Sequence, residues 1–173
     1  MKTPFQLMAE SGVPLLLIGG HALHAHGYSR LTLDFDCLIL AGDEARMKGY
    51  LENAGWEEVF RTRSFGKYRS LGADASVIDV MFVEAETFTR LSAESFQFTF
   101  GEVTLRVPAL MHLVAMKLHA IKNDPQRESR DAGDIVELLR RNKDRWTPGQ
   151  FEETCRRFGL AEVCSRIRPL LSP

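Results

Sequence analysis

A mixed α/β body followed by a helical tail is the fold class that the sequence predicts, on three observations. Short apolar runs with alternating polar positions recur between residues 15 and 107 and are separated by glycines, the pattern of half-buried strands joined by turns. After Pro108 the apolar residues change to helical spacing and keep it to the end of the chain. Apolar residues make up 45% of the 173 residues and charged residues 26%, with a formal net charge of -1. That balance excludes a disordered chain and a supercharged nucleic-acid tail, and scaling from chain size predicts that about 70% of the unfolded surface is buried.

The elements follow in order. Gly12-Val13-Pro14 is a turn, and Leu15 to Ile18 is a buried strand that runs into the Gly19-Gly20 bend. A short helix, His21 to His26, ends at Gly27. Leu33 to Leu40 reads as a strand with Phe35, Cys37 and Ile39 on one face and Asp34, Asp36 and Leu38 on the other. Asp43 to Ala54 has an acidic first turn and a Gly55 stop, which predicts a helix. Glu57 to Arg61, Lys67 to Leu71 and Ala75 to Phe82 are strands, and in the last of them Asp79 shares a face with Val77 and Met81. Ser95 to Phe100 and Val103 to Val107 flank Gly101-Glu102 as a hairpin.

Pro108 then opens a helix to about Ile121 with Leu110, Leu113, Val114 and Ile121 inward. Helices over 128–141, 148–158 and 160–168 complete the chain. The expected division is an α/β core over 1–107 and a helical, substrate- or partner-facing subdomain over 108–173.

The longest wholly aliphatic stretch, Leu15 to Ile18, falls far short of the roughly 20 residues that span a bilayer. The N-terminus lacks a secretory pattern. Cys37, Cys155 and Cys164 form an odd, scattered set without CxxC, which predicts three structural thiols in a reducing compartment. The expected location is the cytoplasm, with no membrane partner; nothing in the sequence fixes an oligomeric state.

Chemistry concentrates at three aspartates. Asp34 and Asp36 lie two residues apart on one strand face, so both carboxylates can converge on a cation, and Asp79 can join them from a neighbouring strand. Like charges about 4 Å apart at an effective dielectric of about 20 repel by roughly 4 kcal/mol, a penalty that magnesium removes. The structural alternative has Asp34 starting a turn and Asp79 capping or facing solvent. Gly19-Gly20 lets backbone N-H groups approach a phosphate, although the pair alone matches no standard phosphate loop.

The run LLLIGGHALHAHGYSRLTLDFDCLIL, followed by VIDVMF and the helical tail, resembles the nucleotidyltransferase superfamily, especially its AbiEii-like branch. Arg30-x-Thr32-x-Asp34-x-Asp36 carries the branch resemblance most specifically. The resemblance implies a small mixed-sheet nucleotidyltransferase-like domain in which Gly19 and Gly20 hold a triphosphate. It implies that Asp34, Asp36 and Asp79 are catalytic carboxylates that bind magnesium. Arg30 would orient phosphate or fix the loop, with a surface ion pair as the alternative.

In that family a lysine often lies in the first tail helix and an R-x-x-K-D-x-x-D-like segment in the second. Here these are Lys117 and Arg127-x-x-Arg130-Asp131-x-x-Asp134, with Arg130 where lysine is usual. The resemblance makes Lys117, Arg130, Asp131 and Asp134 nucleotide-binding candidates. Equally, Lys117 on the inward stripe demands a carboxylate partner, and Asp131 and Asp134 can supply an ion-pair network that docks the two helices.

The implied cofactor is magnesium and the implied donor a nucleoside triphosphate, with ATP, GTP, CTP and UTP all admissible. The acceptor is a hydroxyl on RNA, protein or a small molecule. The branch also implies a toxin-antitoxin setting with a cognate regulatory protein. The rival function is a catalytically weak nucleotide-binding regulatory or antitoxin-like protein. His21 and His24 are weighed between substrate contact and structural hydrogen bonds, and Arg61, Arg63, Lys67 and Arg69 between a polyanion surface and a solvated strand edge.

Overall fold

The computed structural model describes residues 2–72 and 75–171. They divide into two compact units, one holding the chain up to Ala22 and again from Arg30 to Pro108, the other holding Leu23–Ser29 and the chain from Ala109 onward.

The first unit is built on a mixed five-stranded sheet. Its strands are β1 (Leu15–Leu17), β2 (Asp34–Leu40), β3 (Trp56–Arg61), β4 (Phe65–Ser70) and β5 (Val77–Val83), in the order β1-β2-β5-β4-β3. Only the β2–β5 pair is parallel. Period-two alternation decides which face is buried. Phe35, Cys37 and Ile39 lie across from Ile78, Val80 and Phe82, and Tyr68 of β4 lies across from Ile78. All of these are buried.

The opposite face carries Asp34, Asp36, Val77, Asp79, Lys67 and Arg69. Helix α3 (Glu44–Asn53) buries Met47 and Leu51 and ends before Gly55, whose φ of +83° only glycine adopts without strain. The hairpin β6 (Phe96–Phe100) and β7 (Val103–Val107) forms a separate two-stranded sheet, and β1 packs against β7.

Two helices of this unit go beyond the sequence expectation. Helix α1 (Pro4–Glu10) starts with a capping box, in which Thr3 and Gln6 satisfy each other's backbone N-H groups and Pro4 occupies the first turn. It buries Leu7 and Met8 and packs against β7. Helix α4 (Ala85–Ala93) has no side-chain cap and buries Leu91. Helix α2 (Gly19–Ala25) begins at the glycine pair, two residues before the expected His21 start.

The second unit is helical. Helix α5 (Leu110–Asn123) buries Leu110, Leu113, Val114, Leu118 and Ile121 along one stripe, and α6 (Glu128–Arg141) buries Ile135, Leu138 and Leu139. Helix α7 (Pro148–Phe158) opens on a Thr147/Gln150 capping box and closes at Gly159 in the left-handed conformation, while α8 (Ala161–Ile167) buries Val163 and Ile167. Asn142 donates to the His26 carbonyl at 2.8 Å, and Arg141 lies over the Tyr28 ring at 5.5 Å, so residues 23–29 belong to this unit by contact.

One sequence expectation is corrected. Cys155 and Cys164 are joined in a disulfide between α7 and α8, with Cα atoms 6.2 Å apart, and Cys37 alone is a free, buried thiol. Cysteine spacing gave no sign of this, because the helical hairpin, not a motif, sets the two residues opposite each other. A disulfide is ordinary in oxidising compartments, so the reducing-compartment argument from cysteine usage no longer stands. Among the described residues no helix is long and apolar enough to cross a membrane.

Candidate functional site

The local geometry starts at Gly19. Its φ is +62°, and a Cβ there would stand 2.0 Å from Oδ2 of Asp36, so the position demands glycine twice over. At Gly20 a Cβ would meet Thr32 Oγ1 at 2.6 Å. The glycine pair therefore seats the start of α2 directly on the β2 entry loop and on the Asp36 carboxylate. Ile18 N-H donates to the Asp36 carbonyl at 2.9 Å and fixes the same strand end. Thr32 thus serves the loop, and Arg30 Nη1 donates to the Leu31 carbonyl at 3.2 Å within it.

The carboxylates follow from strand register. Asp36 on β2 and Asp79 on β5 are Cα partners across the parallel ladder, and Asp34, two residues earlier, shares their face. Adjacent strands run about 4.8 Å apart, so the row holds repelling charges close together unless a cation intervenes. Asp34 is exposed, whereas the Asp79 side chain is only 16% exposed.

Burial pushes the Asp79 carboxyl above its ordinary range; the Lys67 ammonium opposes that shift and the charge of Asp34 adds to it. Lys67 Nζ lies 2.8 Å from Asp79 Oδ1 and donates to Oδ2 at 3.0 Å. Oδ1 is buried and has no aligned hydrogen-bond donor among the described residues.

Magnesium fits part of this arrangement. Asp34 and Asp36 form an open pair, and this ion commonly takes one or two carboxylates with water and substrate phosphate completing the shell. Among the described residues no group of three His, Cys, Asp or Glu side chains forms a ready-made cage.

The helical-unit candidates form a second cluster. Lys117 Nζ donates to Asp131 Oδ1 at 2.9 Å and to Asp134 Oδ2 at 2.6 Å, and Arg127 Nε donates to Asp131 Oδ2 at 3.0 Å. Asp131 and Asp134 are 0% and 2% exposed, so Lys117 ties α5 to two buried carboxylates of α6, and the half-exposed Arg127 adds a second cation at Asp131. Arg130 is exposed, and the arginine that serves this cluster is Arg127.

The remaining sequence candidates have local duties. His21 stacks edge-on with Phe5 at 4.8 Å between ring centroids, and His24 Nδ1 lies 2.5 Å from Ser29 Oγ. In the basic stretch, Arg61 pairs with Glu44, Lys67 with Asp79 and Arg69 with Glu57. Those pairs favour a self-neutralised strand surface over a polyanion track. Lys67 is the neighbour of Asp79 that the sequence pattern does not reveal, because the pairing depends on the β4–β5 register. A concavity of about 560 Å³ elsewhere in the first unit, lined by Lys2, Leu7, Tyr50, Trp56, Ser70 and Leu71, contains none of the predicted site residues. Register and chemistry, not concavity, define the candidate site.

Comparison with solved structures places this geometry in a nucleotidyltransferase-like fold. A nucleotidyltransferase-like antigenic protein from Paracoccidioides brasiliensis superposes with a TM-score of 0.60 at 12% identity, covering 96% of this chain and 88% of that one. The antibiotic-resistance factor ANT(2'')-Ia gives 0.56 at 12% identity, with 95% and 83% covered. A putative nucleotidyltransferase from Thermotoga maritima gives 0.54 at 11% identity, with 73% and 85% covered. ANT(2'')-Ia has also been crystallised in complex with adenylyl-2''-tobramycin. At such identities the likeness is one of fold. No family profile matches the chain, and no curated protein matches it in sequence.

Proposed function

We propose that this chain is a magnesium-dependent nucleotidyltransferase that moves a nucleoside monophosphate from a nucleoside triphosphate to a hydroxyl on RNA or protein. The observation that carries it is the Asp36–Asp79 register beside Asp34, seated against the Gly19 backbone. The fold likeness supports the class. The AbiEii-like branch, with a toxin-type role beside a cognate regulatory protein, rests on the Arg30-x-Thr32-x-Asp34-x-Asp36 spacing and the Arg127 to Asp134 segment.

Asp34 and Asp36 would hold magnesium, which supplies charge neutralisation for the triphosphate and a lowered pKa for the attacking hydroxyl. Gly19 and Gly20 leave room for the phosphate tail to approach the backbone. Asp79 orients the acceptor, and its carboxylate takes the hydroxyl proton as the acceptor oxygen attacks the α-phosphorus and pyrophosphate leaves. A carboxyl raised above its usual range is the better proton acceptor for this task.

A second reading, a nucleotide-binding regulatory protein with weak transfer, rests on Arg130 standing where the resembled family usually has lysine. Asp34→Asn combined with Asp36→Asn tests the site common to both. Loss of magnesium-dependent nucleotide binding with an unchanged circular dichroism spectrum supports it, and undiminished binding refutes it.

A further inference from the structure

Three strands set three charged side chains in one row: Asp36 on β2 is the partner of Asp79 on β5, which is the partner of Lys67 on β4. Lys67 does more than neighbour Asp79. Its ammonium reaches both carboxylate oxygens, at 2.8 and 3.0 Å, and the side chain leaves a strand flanked on both sides, by β3 and β5. A divalent cation bound through those oxygens would face an ammonium already seated there, and like charges so close repel strongly.

We propose that Lys67 is a positioning residue that takes the place of a second cation, holding Asp79 so that Asp34 and Asp36 bind a single divalent ion. The proposal rests on the transferase function above and deepens it, for it makes Asp79 a group that handles the acceptor and not a metal ligand. It also gives the Lys67 side chain, only 35% exposed, a role that a solvated strand edge does not require.

The test is titration of the full chain with manganese(II) chloride alone, counting free ion by electron paramagnetic resonance. The expected result is a single saturable manganese per chain, weakened at least about tenfold by Asp36→Asn and changed less than about threefold by Asp79→Asn. Lys67→Met gains a second manganese that Asp79→Asn in the same chain removes, whereas Lys67→Arg, which keeps the charge, stays at one. Two ions on the unaltered chain, loss of the ion in Asp79→Asn, or a single ion in folded Lys67→Met overturns the role of Lys67 and leaves the transferase function standing. No saturable manganese on the unaltered chain overturns both. If Lys67→Met does not fold, Asp79→Asn decides alone.

Discussion

Gly19 lies so close to Asp36 that a Cβ on the glycine would stand 2.0 Å from the carboxylate oxygen Oδ2. The Asp36 carboxylate thus packs directly on the glycine bend, and a side chain at Gly19 would displace it.

Gly19→Ala therefore carries two costs. The left-handed backbone alone costs about 1–2 kcal/mol, and displacement of Asp36 adds to it and weakens nucleotide binding at least about tenfold. Gly27→Ala is the control, since Gly27 has φ of +84° but nothing within 4 Å of its Cβ position, so it pays the backbone cost alone. Urea denaturation and nucleotide titration of both variants check this. Equal losses of binding would contradict the contact.

The Lys117 ammonium bridges Asp131 and Asp134, and both carboxylates are buried. Lys117→Met removes the ammonium shared by two buried carboxylates and is expected to destabilise by about 3–5 kcal/mol, as the breaking of buried pairs does. Denaturation curves measure the loss. An unchanged midpoint with weakened nucleotide binding would instead make Lys117 a phosphate ligand.

Asp79 sets the expected pH dependence. Burial raises its folded value above the ordinary 3.8, so the ionised form carries a penalty that is full above the folded value and disappears as pH falls below 3.8. Proton acceptance needs that ionised form, so transfer declines as pH falls through the raised value, and the acid limb of kcat/KM lies above 3.8. A limb at or below 3.8, or a profile unchanged in Asp79→Asn, would remove Asp79 from the chemistry.

Much of this was legible along the chain. The β2 alternation showed Asp34 and Asp36 on one face, and apolar spacing showed α5 to α8 with small boundary shifts. The Thr3/Gln6 capping box with Pro4 marks the start of α1, which the apolar pattern of so short a segment does not reveal. Helix α4 offered no capping side chain to mark its start. Strand register was not readable at all. The pairing of Lys67 with Asp79 joins residues on separate strands, and Arg127, just before α6, reaches Asp131 four residues on. The Cys155–Cys164 bridge was hidden for the same reason, since helix packing and not sequence spacing brings its ends together.

The decisive measurement is covalent label transfer. The purified chain, with magnesium, is given each of the four α-phosphate-labelled nucleoside triphosphates in the presence of cellular RNA and proteins, beside an Asp36→Asn chain of equal fold. A labelled acceptor with matching pyrophosphate release, lost in Asp36→Asn, is the predicted result. Label transfer that survives Asp36→Asn, or saturable magnesium-dependent nucleotide binding with no transfer to any acceptor, would contradict the transferase assignment.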